Sequence, residues 1–205
     1  MQMMENAPHQ FCINHTSSDL KKLLKFKHRT FNDTDLLYFI EFLKHHYSKN
    51  KSLETAFFND QSLSSDQKVS PKGGNLEGAA VENSLTSFYH YFFSLQDVPL
   101  RTKKHIASPE KNSSCKRLNM FLRWMVRKDN KGVDFGIWKK ISPAQLICPI
   151  DVHVARVARH FNLLQRPVVD WQAALQLTNC LRKLDETDPV KYDFALFGLG
   201  VMEKF

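Results

Sequence analysis

A helix start, a carboxylate and a basic face occur together in Cys148-Pro149-Ile150-Asp151-Val152-His153-Val154-Ala155-Arg156-Val157-Ala158-Arg159-His160-Phe161. Asp151 is a residue type that is favoured at the cap of a helix, and it follows a proline that suits extended backbone. Apolar side chains then recur with helical spacing at Val154, Val157, Ala158 and Phe161. The basic side chains left for the other face are His153, Arg156, Arg159 and His160. On spacing alone, Asp151 is interpreted as an ordinary cap of an amphipathic helix.

Length and composition limit the class of protein. The chain has 205 residues, which is enough for one domain with a substantial core. A hydrophobic fraction of 42%, with 16 phenylalanines, excludes a disordered chain. The net charge of +8 favours an anionic partner such as nucleic acid, although a merely soluble surface is compatible with the same excess. We predict one domain over residues 1–205, present as a monomer.

The sequence contains no signal for a membrane, a disulfide framework or a zinc site. No run approaches the roughly 20 apolar residues of a membrane span, and residues 1–20 lack a signal-peptide core. A soluble, cytoplasmic protein with no membrane partner is therefore expected. The cysteines lie far apart and form no Cys-x-x-Cys pair. We predict no metal and no cofactor.

Several polar clusters precede apolar runs and predict further helices. Residues 16–19 precede one helix, and residues 30–35 precede a second helix that ends near Tyr47. Asp170 and the pair Asp188-Pro189 mark two more helix starts. Because every predicted element is helical, the predicted fold class is all-α, with an orthogonal helical bundle as its architecture.

Residues 59–84 differ in composition from the rest of the chain. They are rich in Ser, Gly, Asp, Gln and Lys, and Pro71-Lys72-Gly73-Gly74 lies at their centre. We predict a long, mobile, disordered-like surface loop there, because apolar periodicity is missing. Aromatic residues return in residues 85–95, which predicts a buried helix.

A second basic region lies between Arg101 and Arg127. Residues 116–127 are predicted to form a helix with an apolar face, while Lys116, Arg123 and Arg127 lie on another face. That face suits either a polyanion or a solvated rim. Trp124 is expected in the core rather than as a wedge between bases. Trp138 is expected to pack the insertion at residues 128–147 rather than to line a base pocket.

The run Pro-Ile-Asp-Val-His-Val-Ala-Arg-Val-Ala resembles the segment that carries the catalytic aspartate of helix-hairpin-helix DNA glycosylases, and Asp151 falls on that position. Residues 117–127 and 188–198 resemble an uncharacterised bacterial family that is placed in the same superfamily. Relative to that family, we expect the chain to be N-terminally truncated. The resemblance implies the glycosylase fold for residues 1–205.

The resemblance also implies a hairpin and a pair of catalytic residues. Residues 108–118 are similar to the DNA-binding hairpin, in which Pro109 and Lys116 match and both glycines are absent. Asn112 tolerates the left-handed backbone that those glycines supply. Lys116 would attack the sugar as an amine nucleophile, and Asp151 would stabilise positive charge and handle protons. The insertion at residues 128–147 must fold back if these two side chains are to share one cleft.

The function that the resemblance implies is DNA repair by cleavage of the N-glycosidic bond of a damaged base in duplex DNA. Nucleic-acid contacts are predicted for Lys111, Ser113, Ser114, Arg117, Arg123, Arg127, His153 and Arg156. Ser113 and Ser114 suit either phosphate binding or a plain helix cap. Two alternatives remain: a nucleic-acid-binding protein without turnover, and a structural or interaction protein in which Asp151 is only a cap.

Overall fold

A computed structural model of the chain describes Met4, residues 7–58 and residues 76–203, without the side chains of residues 76 and 77. This part is mostly helical, and it contains a single sheet of two short strands. The all-α prediction is therefore confirmed. The chain forms two compact units, residues 1–59 with 88–106 and residues 60–87 with 107–205. The interpretation of residues 1–205 as one domain stays a prediction.

The first unit is built around one long helix. Its elements are α1 (Pro8–Asn14), α2 (Ser17–Lys21), β1 (Lys27–His28) paired antiparallel with β2 (Phe31–Asn32), α3 (Asp33–Tyr47), α4 (Glu54–Phe57) and a 3-10 helix (Leu100–His105). The predicted caps are present, because Thr16 and Asn32 each accept from a backbone N–H three residues ahead. In both cases the side chain of the aspartate at that third position accepts from the backbone N–H of the cap residue, which completes a capping box.

Helix α5 (Leu76–Phe92) contributes residues to both units. The prediction of a loop over residues 59–84 was wrong for its last nine positions, where α5 has already begun. The polar residues 82–84 obscured the helical spacing of Val81 and Leu85, which are both completely buried. The rest of that predicted loop lies outside the described residues.

The second unit holds the remaining helices. They are α6 (Lys116–Val126), α7 (Val152–His160), α8 (Trp171–Arg182) and α9 (Asp193–Met202), with 3-10 turns at Pro109–Lys111, Pro143–Gln145 and Pro189–Tyr192. The starts at Asp151 and Asp170 are confirmed, since both side chains cap α7 and α8. Pro189 opens a 3-10 turn that leads into α9, and the side chain of Asp188 makes no capping hydrogen bond. No described helix is long and apolar enough to cross a membrane.

Helices α7 and α9 pack against each other at very short range. A Cβ atom placed on Gly200 would lie 2.8 Å from the backbone oxygen of His153. Only glycine allows this approach, because any side chain would meet backbone that has no room to move. The contact fixes the start of α7, which carries Asp151, against α9.

Candidate functional site

Lys116 and Asp151 meet at the beginnings of α6 and α7. The Nζ atom of Lys116 donates to Oδ2 of Asp151 at 2.7 Å. The other carboxylate oxygen accepts from the backbone N–H groups of His153 and Val154, both at 2.9 Å. The expectation that Lys116 and Asp151 share one cleft is therefore confirmed. One oxygen of Asp151 holds the helix, and the other faces the amine.

The insertion at residues 128–147 folds back onto the end of α6, which was the condition for contact between Lys116 and Asp151. Its short antiparallel bridge joins Lys128 to Phe135. The backbone N–H groups of Phe135 and Trp138 donate to the carbonyl groups of Trp124 and Met125, at 2.7 and 2.8 Å. Trp138 is 3% exposed, which confirms its predicted packing role.

Arg123 and Arg127 do not form the predicted DNA-binding face. Arg123 is 1% exposed and donates to Asp193 at 2.7 Å and to Asp134 at 3.2 Å. Arg127 pairs with Asp134 and with Asp188. Helical spacing placed both arginines on one face, but that face packs on the insertion and on α9. Buried charges need partners, and three distant carboxylates supply them here.

The two carboxyl groups nearest the site differ in their proton affinity. Burial tends to raise the pKa of Asp151, but the hydrogen bonds from Lys116 and from the start of α7 outweigh it and lower that pKa. Burial raises the pKa of Asp193 to about 6, Arg123 opposes this, and the charge of Asp151 adds to it. Asp151 is therefore held ionised, while Asp193 titrates close to neutrality.

A cavity of about 240 Å³ opens beside this pair. Its charged lining residues are Lys116, Asp151 and Asp193, and its aromatic lining residues are Trp124, Phe194 and Phe197. The expectation that Trp124 belongs to the core was wrong, since its side chain is 38% exposed. Its place on the wheel of α6 turns the indole toward the cavity.

Neighbouring charges hold two of the aromatic rings in place. The guanidinium carbon of Arg123 lies 4.1 Å from the ring centroid of Phe194. The Nζ atom of Lys116 lies 6.0 Å from the ring centroid of Phe197, which also meets His153 edge-on. Cation–π contacts of this kind orient a ring without filling the space in front of its other face.

The loop before α6 takes left-handed backbone without glycine. Asn112 has a φ of 56° and Cys115 a φ of 51°. The loop is tied to the start of α8, because Ser113 pairs with Asp170 through the backbone. The Oγ atom of Ser113 accepts from the N–H of Cys115 at 3.2 Å, and the carbonyl of Ser114 accepts from a side chain of α6. These contacts favour the local turn over the phosphate-binding interpretation of the Ser113 hydroxyl.

The other predicted nucleic-acid contacts divide into exposed and half-buried side chains. Lys111, Arg117 and Arg156 are exposed. His153 is half-buried, and its Nδ1 atom lies 3.2 Å from the backbone oxygen of Gly200, to which Arg156 also donates. Arg156 and His153 therefore contribute to the contact between α7 and α9.

The sequence reasoning missed Asp193 and Asp134. A usable signal was present, because each is a carboxylate inside an otherwise apolar segment, and such a residue needs a buried partner. Which cation serves as that partner depends on the fold. Among the residues that the structure describes, no group of three or more His, Cys, Asp or Glu side chains is placed to hold a metal ion.

The sequence matches one protein family over residues 1–202. That family is described as a protein of unknown function, DUF2400. Comparison with curated proteins gave no match, and neither did comparison with solved structures. Since the match covers nearly the whole chain, the protein belongs to the DUF2400 family of proteins of unknown function.

Proposed function

We propose that the protein is a DNA N-glycosylase of the helix-hairpin-helix type, with its helices arranged as the orthogonal bundle of that superfamily. The observation that carries this proposal is the amine of Lys116, 2.7 Å from the carboxylate of Asp151 at an open cavity. An amine beside a base is what covalent catalysis at a sugar carbon requires. The cavity supplies room for a base that has been rotated out of the duplex.

The reaction begins with a proton transfer from Lys116 to Asp151. The free Nζ atom forms a bond to C1′ of the sugar while the bond between C1′ and the base breaks. The base leaves with the electron pair of that bond and takes the proton from Asp151, which becomes a carboxylate again. The bond from C1′ to the ring oxygen then opens, a proton of Nζ passes through Asp151 to the ring oxygen, and an iminium ion joins C1′ to Nζ. Each step uses a group that this site already holds.

Asp151 also contributes through its charge. Positive charge develops at C1′ as the base leaves, and a fixed carboxylate nearby lowers the energy of that state. The hydrogen bonds that lower the pKa of Asp151 favour its return to the charged form once its proton has passed to the leaving base. Since the cavity wall is largely apolar, the interaction is stronger there than in water.

A nucleic-acid-binding protein without turnover is the second candidate. Two observations favour it: the hairpin lacks both glycines, and Lys116 is bound directly to the carboxylate that would activate it. In a third candidate, a structural or interaction protein, Asp151 would serve only to cap α7.

The experiment measures base release from duplexes that each contain one lesion, together with covalent trapping by borohydride. The lesions are uracil, 8-oxoguanine, an alkylated adenine and an oxidised pyrimidine. We expect release from at least one duplex and a trapped adduct that disappears in Lys116→Arg. Arginine keeps the positive charge beside Asp151 but is not a nucleophile at neutral pH.

The outcomes separate the candidates. Release without trapping would assign the attack to water and leave Asp151 as the catalytic residue. Salt-sensitive binding of every duplex without release would favour the non-catalytic protein. Absence of both release and binding would contradict a nucleic-acid function and leave the structural role.

A further inference from the structure

Asp193 is a third charged group in the cavity, and the proposed reaction does not use it. It is the first residue of α9, it is 3% exposed, and it lines the same cavity as Lys116 and Asp151. A carboxyl group buried this deeply is costly to keep in a structure without a role. Its position in the cavity wall brings it within reach of a bound ligand.

The carboxyl group of Asp193 is held rigidly. Its Oδ2 atom accepts from Arg123 at 2.7 Å, and Arg123 is fixed in turn by Asp134 and by the ring of Phe194. Within the described residues, the bond from Arg123 leaves Oδ1 to accept from a ligand. A locked acceptor at the edge of a cavity discriminates between ligands by their hydrogen-bond donors.

The aromatic lining defines the shape of that ligand. Trp124, Phe194 and Phe197 contribute flat faces to the wall, and aromatic rings stack favourably on flat heteroaromatic rings. A ligand that fits both features is a planar ring with an N–H donor on its edge. A nucleobase with an exocyclic amine has this chemistry.

We propose that Asp193 selects the ligand of this cavity by accepting a hydrogen bond from the amino edge of a nucleobase that stacks on Trp124, Phe194 and Phe197. This inference deepens the proposed function, since it takes the cavity to be the base pocket of that same site. Lys116 and Asp151 act at the sugar, whereas Asp193 binds the amino edge of the base. The ligand class is an amino-bearing base such as an adenine derivative.

The charge of Asp193 gives this selection a dependence on pH. Its pKa is raised to about 6, so the carboxylate accepts fully above that pH and loses its charge below it. The charged groups that face it are Arg123 and Lys116 from α6 and Asp151 from the start of α7. Asp134 acts on it through Arg123, with which both carboxylates pair.

The test compares the affinities of 9-methyladenine and 9-methylpurine for the whole chain. The two probes share one ring and differ in the exocyclic amine, and neither carries an N–H on the ring. Binding is read from quenching of Trp124, because Trp138 and Trp171 are only 3% and 1% exposed. Above the pKa of Asp193, we expect 9-methyladenine to bind about tenfold more tightly, which corresponds to one hydrogen bond to a charged acceptor.

The variants isolate Asp193 from the ion pairs around it. Asp193→Asn should reduce the tenfold preference to about twofold or less and remove its dependence on pH, because a neutral amide oxygen accepts weakly. Asp188→Asn is the matched control, since Asp188 pairs with Arg127 and does not line the cavity. It should retain the wild-type preference at every pH. Thermal unfolding establishes that both variants are folded.

The wild-type protein provides a second measurement that needs no variant. Its preference for 9-methyladenine should decline as the pH falls through about 6. An unchanged preference in Asp193→Asn, or a wild-type preference that is constant across this range, would overturn the role of Asp193. Absence of quenching by either purine would overturn the base pocket itself. Base release from lesion duplexes is a separate measurement, so it tests the proposed function independently of the purine-binding test.

Discussion

Asp151 uses its two carboxylate oxygens for different purposes. Oδ1 caps α7, and Oδ2 faces the amine of Lys116. A cap alone has no need for a lysine at 2.7 Å, and a catalytic base has no need for two backbone donors. The combination fixes the position of Oδ2 more tightly than either contact does alone.

Asp193 should make stability depend on pH in a direction opposite to that of Asp151. Between 3.8 and about 6, the folded protein keeps Asp193 protonated while the unfolded chain has released that proton. Stability that comes from this group is therefore present below the window and is lost as the pH rises through it.

Urea unfolding of wild type and Asp193→Asn at several pH values measures this effect. The free energy of unfolding of wild type should exceed that of Asp193→Asn by less and less as the pH rises from 3.8 to about 6. The difference should fall by about 1.4 kcal/mol per pH unit at most. An advantage that grows with pH would mean that the ion pair with Arg123 dominates and that the pKa of Asp193 is not raised.

The sequence was sufficient to predict some residues of the site and not others. Spacing predicted that Asp151 caps a helix, whereas the resemblance selected both Asp151 and Lys116 as candidate catalytic residues. Arg123 was assigned to the surface, since its burial depends on Asp134 and Asp193, which lie far from it in sequence. A helical wheel gives the face of a residue, but the neighbouring elements decide whether that face meets water or carboxylates.

At the scale of elements, the contact between α7 and α9 positions the start of α7. Gly200 lies against the backbone of His153, two residues after Asp151. A displacement of α7 at this point would move the carboxylate of Asp151 relative to Lys116. Shifts of about 1 Å in catalytic geometry reduce rates by roughly a hundredfold.

The substitution Gly200→Ala tests this contact. Its Cβ atom would come within 2.8 Å of the backbone oxygen of His153, so the two helices must separate. We expect a loss of about 1 to 3 kcal/mol in the free energy of unfolding, as for other overpacked sites. We also expect base release to fall.

The control is Gly198→Ala in the same helix, where an added Cβ atom meets nothing within 4 Å. Alanine there should stabilise the protein slightly, by up to about 1 kcal/mol, through its helix propensity. Equal effects of the two substitutions on chemical denaturation would show that the spacing of α7 and α9 is not tight.

Helix starts were the elements that the sequence predicted best, because capping residues are local signals. The boundary at Leu76 could not be found in this way, since residues 76–84 combine polar letters with buried positions that only packing identifies. For the insertion at residues 128–147, the sequence predicted only that it must fold back if Lys116 and Asp151 are to share one cleft. Its hydrogen bonds to the last carbonyl groups of α6 are tertiary contacts, which composition does not encode.

At the scale of the whole molecule, the net charge of +8 favours a polyanionic partner. Because Arg123 and Arg127 are occupied by carboxylates, the expected contact rests on the exposed cations Lys111, Arg117 and Arg156, of which Lys111 and Arg117 belong to residues 108–118. Arg117 is the most direct choice among them, because it follows Lys116 in the first turn of α6.

We expect Arg117→Gln to weaken duplex binding for every sequence and to reduce the slope of affinity against salt by about one counterion. The matched control is Lys183→Gln at the end of α8, an exposed cation about 20 Å along the helix from Asp170, which contacts Asn112. Filter binding at several salt concentrations measures both variants. Equal effects of the two substitutions would mean that the affinity for DNA depends on the net charge of the protein and not on the position of Arg117.

If Asp151 is a catalytic carboxylate as well as a cap, one substitution separates these two roles. Asn caps a helix about as well as Asp, and the ion pair lost with Lys116 is partly exposed, so Asp151→Asn should lower stability by about 1 kcal/mol or less. DNA affinity should be retained, whereas base release should fall by at least about a hundredfold, because the amide carries no charge and accepts no proton from Lys116.

The measurement is the rate of base release from the most reactive lesion duplex under single-turnover conditions, taken with thermal unfolding and duplex affinity on the same sample of Asp151→Asn. We expect a folded variant that binds DNA and releases little or no base. Base release at the wild-type rate would contradict the catalytic assignment of Asp151.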